Sequence, residues 1–143
     1  MKKVMLGLLI LLILIQFIRP EKNDSGDYTN DYTSVMQVPD NVKEIIKTSC
    51  ADCHSNFTKY PWYSEIAPVS WYIAQHVNEG KEHLNFSEWM RYNKNQKDHI
   101  IQDLEEELEG FEMPLKSYLL IHKDAILTKD QYKILLAWVK TLK

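Results

Sequence analysis

The sequence has no excess of basic charge, almost no strand pattern and only two cysteines among its 143 residues. After residue 19 the chain holds 14 basic and 20 acidic residues, which argues against nucleic acid as a partner. It has no internal repeat and no low-complexity tract. No serine–histidine–acid arrangement, phosphate-binding loop or pair of carboxylates stands out that would support a hydrolase. The chemistry that the sequence does indicate is concentrated at the two cysteines.

Both cysteines lie in one pentapeptide, Cys50-Ala51-Asp52-Cys53-His54. The C-x-x-C-H spacing is typical of covalent haem attachment, because thiols one helical turn apart can bond to the two vinyl groups on one edge of the porphyrin. The histidine that follows is carried under the ring, where a nitrogen can bind iron. We therefore predict one covalently bound haem, with thioether bonds to Cys50 and Cys53 and with His54 as the proximal iron ligand.

Other uses of two nearby cysteines are less well supported by the sequence. A structural zinc site typically adds an H-x(3–5)-H pair, and the later histidines do not show that spacing: His76, His83, His99 and His122. A thioredoxin-like pair needs a strand–helix–strand setting, whereas the flanking residues indicate helix followed by loop. A disulfide within C-x-x-C would constrain the unfolded chain little. A zinc-stabilised interaction module is kept as an alternative.

The N-terminus carries a targeting pattern. Lys2 and Lys3 precede an apolar run over residues 4–18, which ends at Arg19-Pro20. No small-x-small cleavage site follows the run, so residues 1–19 are predicted to be an uncleaved transmembrane anchor or a signal segment. The rest would then be exported and held at the cytoplasmic membrane, in the periplasm or outside, or would be soluble in the periplasm if the segment is cleaved.

The exported part divides into a tether and one domain. Residues 20–39 are polar and rich in turn-forming residues, without helical periodicity, which predicts a flexible tether. Residues 40–143 suffice for one compact domain. Because strand signals are nearly absent, we expect this domain to be all-α.

Helix signals occur along the whole domain. Asp40 is expected to cap a helix that leads into Cys50 and presents one apolar face, made of Val42, Ile45 and Ile46. A second helix is predicted over residues 68–84. Ser87 is expected to cap a third helix that reaches about residue 109, and Thr128 opens a capping box for the last helix.

A haem-bearing helix, a mostly irregular ligand loop and a terminal amphipathic helix with an aromatic residue, here Trp138, together resemble the cytochrome c fold. That resemblance implies a methionine as sixth iron ligand, in a loop well after C-x-x-C-H and often followed by proline. Met113 matches this position. It lies 59 residues after His54, and Pro114 disfavours helix at the methionine itself.

Two histidines compete with Met113 for the distal position. His76 and His83 are seven residues apart on one predicted helix, so both project from about the same face and either could supply an imidazole. A histidine on such a face is more often a hydrogen-bonded surface residue. A methionine can also simply fill a gap in the core. We favour Met113, with His76 or His83 as alternatives.

The chain resembles, more specifically, a small bacterial family of haem-binding domain proteins. The family's motifs are C-x-x-C-H-S-N-x-T-x-Y-P-W-Y, I-A-P-V-S-W, H-V-x-E-G and L-N-F-S-E-W. They match residues 50–63, 66–71, 76–80 and 84–89, and the match extends through Met113-Pro114. The resemblance implies covalent haem in an exported, often membrane-tethered protein.

These patterns together predict a membrane-anchored, monohaem c-type cytochrome domain that carries single electrons and is not an enzyme. Its partner would be another redox protein, docked weakly at an exposed haem edge. A haem-based peroxidase, or a gas or redox sensor, is the alternative if the distal site is open or its ligand is displaced. The sixth ligand discriminates between these functions.

Overall fold

Helices are the only regular secondary structure in the computed structural model, which describes residues 1–143. The all-α prediction is confirmed. Seven α-helices follow one another: α1 (Lys2–Leu14), α2 (Asp40–Ser49), α3 (Ala51–His54), α4 (Val69–His83), α5 (Lys94–Glu109), α6 (Lys116–Leu119) and α7 (Lys129–Lys140). Five 3₁₀-helices lie between them: Ile15–Phe17, Tyr32–Ser34, Trp62–Glu65, Phe86–Arg91 and Lys123–Ala125.

The hydrophobic core lies between α2, α5 and α7. Each of these helices turns one apolar face inward, and together they bury Val42, Ile45, Ile46, Ile100, Ile101, Leu108, Leu135, Trp138 and Val139. The face predicted for α2 is confirmed. Tyr32, Phe86 and Trp89 complete the same cluster from the connecting segments. Cys50, which follows the last residue of α2, packs against this core.

The start predicted for the third helix is wrong. α5 begins at Lys94, because Asn93 and Gln96 form a reciprocal capping box there. Ser87 lies instead inside a 3₁₀-helix and is completely buried. Its hydroxyl accepts a hydrogen bond from the Asn56 amide at 3.1 Å, so a tertiary contact uses the side chain that was expected to cap.

The other two predicted caps have different outcomes. Thr128 and Gln131 form the expected capping box at the start of α7, so that prediction is confirmed. The cap position of α2 is taken by Pro39, without a side-chain bond. Asp40 is already helical, and its carboxylate accepts from Lys43 at 3.0 Å, so its predicted capping role is wrong.

The N-terminal helix α1 has 13 residues and buries none of them. No helix of the structure is both long and apolar enough to cross a membrane, so the predicted transmembrane anchor is not found. Just after α1, the Gln16 side-chain amide pairs with both backbone groups of Ala67, at 2.9 and 3.0 Å. Trp71 donates its indole N–H to the carbonyl of Ile18 at 2.8 Å. These bonds join the end of the N-terminal segment to the beginning of α4.

Residues 20–39, which we call the strap, pack on the domain and differ from the flexible tether that was predicted. The Asn23 side chain donates to the Ser55 carbonyl and to the Thr58 hydroxyl, at 2.8 and 2.9 Å. Tyr32 and Val38 are buried in the core. Polar composition suggested a solvated chain, but these side chains have partners far away in the sequence. The strap therefore runs across the residues that follow His54.

Candidate functional site

Cys50 joins α2 to α3, and this junction sets the spacing of the two thiols. It has φ −123° and ψ −36°, so it interrupts regular helix between the two elements. The amides of Cys53 and His54 both donate to the Cys50 carbonyl, at 3.2 and 3.0 Å. One turn of chain thus separates the sulfur-bearing residues. Both cysteines are free and partly buried.

Both thiols are kept in the neutral form. Burial raises the pKa of Cys50 to about 12, with the neighbouring Cys53 as a second cause. Burial also raises the pKa of Cys53 to about 11, assisted by the charge of Asp52. The thiolate is the form that exchanges disulfides and binds zinc. The local environment therefore does not favour a thioredoxin-like pair.

His54 is held by a backbone carbonyl. Its Nδ1 lies 2.9 Å from the carbonyl oxygen of Leu84. Because a carbonyl only accepts hydrogen bonds, Nδ1 carries the proton, and Nε2 keeps the free electron pair of the neutral ring. Burial lowers the pKa of His54, which keeps the ring neutral. The imidazole is therefore oriented, and in the correct protonation state, for binding a metal through Nε2.

A close approach between α3 and α4 brings Leu84 to His54. Gly80 lies in α4 against Cys53, and a Cβ built on this glycine would lie 2.8 Å from the Cys53 carbonyl oxygen. That distance is too short for any side chain unless the backbone shifts. A glycine is needed here because two backbones touch, one of which carries the C-x-x-C-H motif.

Polar residues of the sequence motifs form a network behind the site. The Asn56 side-chain amide donates to the Asp27 carbonyl and to Glu88, at 2.9 and 2.8 Å. Asn85 donates to the Asn56 side-chain oxygen at 2.8 Å, and its own oxygen accepts from the Ser87 amide. This network fixes the residues after Leu84 against those after His54. The S-N and L-N-F-S-E-W motifs therefore position the histidine and its acceptor.

Asp52, between the two cysteines, is bound by α6. The Tyr118 hydroxyl donates to its carboxylate at 2.8 Å, and burial followed by this bond raises the pKa of Tyr118. The Tyr118 ring stacks on His122 with centroids 3.9 Å apart. The far nitrogen of His122 lies 2.9 Å from the Tyr63 hydroxyl. His122 is thus engaged by two tyrosines.

Met113 lies in the loop between α5 and α6, where the sequence predicted a loop. It is partly buried, and Pro114 beside it is buried. The Tyr132 hydroxyl of α7 donates to the Met113 carbonyl at 2.9 Å. Burial raises the pKa of Tyr132, and both Tyr132 and Cys50 pack against the hydrophobic core. Tyr132 therefore ties the loop of Met113 to the core against which Cys50 also packs.

The other histidines have separate surroundings. His76 donates through Nδ1 to the carbonyl of Tyr72 at 2.9 Å, inside its own helix. His83 is exposed at the end of α4 and is near enough to His54 to lower its pKa slightly. His99 pairs with Asp103 on the exposed face of α5. No three His, Cys, Asp or Glu side chains come together as a metal site. The zinc alternative therefore has no ligand set in the structure.

Several residues of the site escaped prediction from the sequence. Gly80 inside a helical pattern is a recognised signal of close backbone approach, and it could have been noticed. The acceptor at Leu84 is a backbone carbonyl, which every residue has, so the sequence cannot indicate it. Tyr118 and Tyr132 reach the site from more than sixty residues away in sequence, and only the fold reveals them.

The donor set fits covalent haem. Two neutral thiols one turn apart match the two vinyl groups, and an imidazole with a free Nε2 matches the proximal side of the iron. Met113 carries a thioether on a loop that Tyr132 ties to the same core against which Cys50 packs. These donors and the helical architecture are those expected of a haem-binding helical domain.

Comparison with known families identifies the group to which it belongs. The chain belongs to the family described as haem-binding domain, whose model matches residues 10–141. The resemblance predicted from the motifs is thereby confirmed. No curated protein and no solved structure matches the chain.

Proposed function

We propose that this chain is a monohaem c-type cytochrome domain that transfers single electrons. The orientation of His54 carries the proposal. Its Nδ1–H is committed to the Leu84 carbonyl at 2.9 Å, which leaves Nε2 for iron immediately after two thiols at haem-attachment spacing. Membership of the haem-binding domain family supports haem as the cofactor. The raised pKa values of the thiols argue against the disulfide-exchange alternative, and no three His, Cys, Asp or Glu side chains come together as a zinc site.

Each site residue has one role in this proposal. Cys50 and Cys53 form the thioether bonds, His54 binds iron on the proximal side, and Met113 binds it on the distal side. When bound, haem supplies the one-electron chemistry. Methionine with histidine gives a higher reduction potential than two histidines, while the bond from His54 to Leu84 strengthens the imidazole as a donor.

The proposed location is the outer face of the cytoplasmic membrane, and the proposed partner is a redox protein that docks weakly. The location rests on the N-terminal pattern, since Lys2 and Lys3 precede apolar residues that α1 leaves exposed on all sides. Covalent haem attachment in an exported protein agrees with it. A weak docking mode is required because an electron carrier must leave its partner after each transfer.

The first experiment tests covalent attachment. The chain is expressed with haem-attachment machinery in an oxidising compartment, as wild type, as Cys50→Ser, as Cys53→Ser and as the double variant. Covalent haem is measured by peroxidase staining after denaturing electrophoresis and by mass spectrometry. We expect full attachment in the wild type, a single thioether in each single variant, and none in the double variant. Wild-type chain without covalent haem would refute the proposal.

The second experiment tests the distal ligand. Met113→Ala is compared with Met90→Ala, which removes a methionine that is 47% exposed in a 3₁₀-helix. We expect low-spin reduced haem in the wild type and in the Met90 variant, and an altered, open iron site in the Met113 variant. An unchanged spectrum in Met113→Ala would show that Met113 is not the distal ligand, and the same substitution would then be made at His76 and at His83. High-spin haem in the wild type would favour a peroxidase or sensor instead.

A further inference from the structure

The loop that carries Met113 begins with an unusual backbone reversal. α5 ends in a Schellman motif, in which the Phe111 amide donates to the Leu108 carbonyl at 3.3 Å and the Glu112 amide donates to the Glu107 carbonyl at 3.1 Å. The left-handed residue of this motif is usually glycine. Here it is Phe111, with φ +56°. A phenylalanine in this conformation is strained, so the surroundings must hold it there.

Tyr132, in the first turn of α7, contacts Phe111 and stabilises it in this conformation. The Phe111 ring meets the Tyr132 ring edge to face, with centroids 4.8 Å apart at 74°. The Tyr132 hydroxyl reaches past it and donates to the Met113 carbonyl at 2.9 Å. One tyrosine therefore contacts both the strained residue and the backbone of the predicted ligand.

Tyr132 is itself fixed on the core side of the molecule. It packs against the buried cluster between α2, α5 and α7, and so does Cys50. The capping box of Thr128 and Gln131 orders the helix turn on which it stands. A residue anchored in this way can transmit the position of α2 and Cys50 to the Met113 loop.

We infer that Tyr132, braced by Phe111, is a positioning residue for the distal iron ligand. Its hydroxyl fixes the Met113 backbone relative to the haem-attachment cysteines, so that less ordering is needed when the thioether binds iron. This inference rests on the proposed function. The contact between the Phe111 and Tyr132 rings stabilises both residues. It offsets the backbone strain at Phe111 and keeps the Tyr132 hydroxyl in place against the loop.

The test compares two single-hydroxyl deletions in the haem-loaded protein. Tyr132→Phe keeps the ring that Phe111 and the core contact. Tyr72→Phe is the matched control, because the Tyr72 hydroxyl donates to Ser117 at 3.3 Å and not to the Met113 loop. Imidazole affinity of the ferric protein measures how readily the distal ligand is displaced. Amide hydrogen exchange over residues 111–115 measures loop order independently of the iron.

For Tyr132→Phe we expect unchanged covalent haem, imidazole affinity higher by roughly two- to tenfold, and loop exchange faster by a similar factor, as the loss of one hydrogen bond implies. Tyr72→Phe should match the wild type in all three. Phe111→Leu should shift affinity and exchange in the same direction by a smaller factor. If Tyr132→Phe gives no folded holoprotein, Phe111→Leu decides by the same measurements.

Two results would overturn the inference, and they are distinguishable. Unchanged affinity and exchange in Tyr132→Phe, with Met113→Ala still raising imidazole affinity, would remove the positioning role and leave the proposed function intact. Unchanged imidazole affinity in Met113→Ala would show that Met113 is not the distal ligand, and the inference would then fail together with the proposed role of Met113, whereas covalent haem attachment is tested separately by the cysteine variants.

Discussion

Helices α7 and α4 illustrate two ways of holding a fold together. α7 has 12 residues and buries Leu135, Trp138 and Val139 against α2 and α5. α4 has 15 residues and buries only Val77 completely. Near α4, polar bonds and a close backbone approach replace apolar burial, as seen at His54 and at Gly80.

The difference indicates a division of labour within one domain. The core side, formed by α2, α5 and α7, supplies stability through non-directional apolar burial in a close-packed interior, where even a small loss of volume is felt. The site side, formed by α3, α4 and α6, supplies directed contacts that fix particular atoms. Residues exposed on the site side include Leu120 at 71% and Tyr72 at 50%.

The largest expected effect compares leucines from the two sides. Leu135→Ala should lower the free energy of unfolding by about 2–5 kcal/mol, because the side chain is 3% exposed and its removal leaves a cavity. Leu120→Ala should change it by less than about 0.5 kcal/mol. Urea unfolding followed by circular dichroism measures both. Similar losses in the two variants would contradict the division of labour.

A second large effect is expected at the close approach on the site side. Gly80→Ala should destabilise the chain by about 1–3 kcal/mol, although alanine is the better helix former, because its Cβ would meet the Cys53 carbonyl. Gly7→Ala in α1 is the control, since no atom lies within 4 Å of its Cβ. Thermal unfolding should separate the two. A Gly80→Ala protein as stable as wild type would show that α3 and α4 are less tightly apposed.

A pH-dependent contribution is expected from His54 in the haem-free chain. Burial lowers its folded-state pKa below the ordinary 6.5. Above pH 6.5 both states are neutral and the group adds no pH dependence. Below pH 6.5 the unfolded state binds a proton that the folded state does not bind. The free energy of unfolding should therefore decrease as the pH is lowered, by at most about 1.4 kcal/mol per pH unit.

The comparison of two histidine variants isolates this contribution. His54→Gln should flatten the dependence between pH 6.5 and 5.5. His99→Gln, which changes an exposed residue paired with Asp103, is the control variant. Urea midpoints at half-unit pH intervals give the slopes. An equal slope in wild type and His54→Gln would place the proton uptake at another group.

The smallest effect concerns a helix end on the core side. Thr128→Ala should cost about 1 kcal/mol, because it leaves the Gln131 amide without its capping acceptor. Thr128→Ser should retain most of the stability, since the hydroxyl remains. Chemical unfolding of both variants is the measurement. A loss in Thr128→Ser equal to that in Thr128→Ala would point to the methyl group instead of the cap.

The predictable parts of this molecule are those with local causes. The apolar face of α2, the capping box at Thr128 and the loop at Met113 each follow from residues a few positions apart, and each was found. The helix start expected at Ser87 failed because that hydroxyl binds Asn56, 31 residues earlier. The prediction of a flexible tether over residues 20–39 failed for the same reason, because Asn23 of the strap binds Ser55 and Thr58.

The candidate donors of the site follow from the sequence, whereas the contacts that orient them do not. Spacing identified Cys50, Cys53 and His54 as candidates, because haem attachment needs those residue types in that order. The orientation of His54 depends on a carbonyl, and the position of Met113 depends on the hydroxyl of Tyr132. Neither kind of contact has a fixed sequence separation, so no periodic pattern in the sequence predicts the partner of His54 or of Met113.

The carbonyl of Leu84 has a consequence for how this site responds to mutation. Every residue at position 84 would bring a carbonyl, so no side-chain exchange there can delete the acceptor that orients His54. The bond can be lost only if the path of the chain between α4 and the following 3₁₀-helix changes. The histidine's tautomer is therefore encoded in the course of the backbone and is robust to substitution at the very residue that sets it.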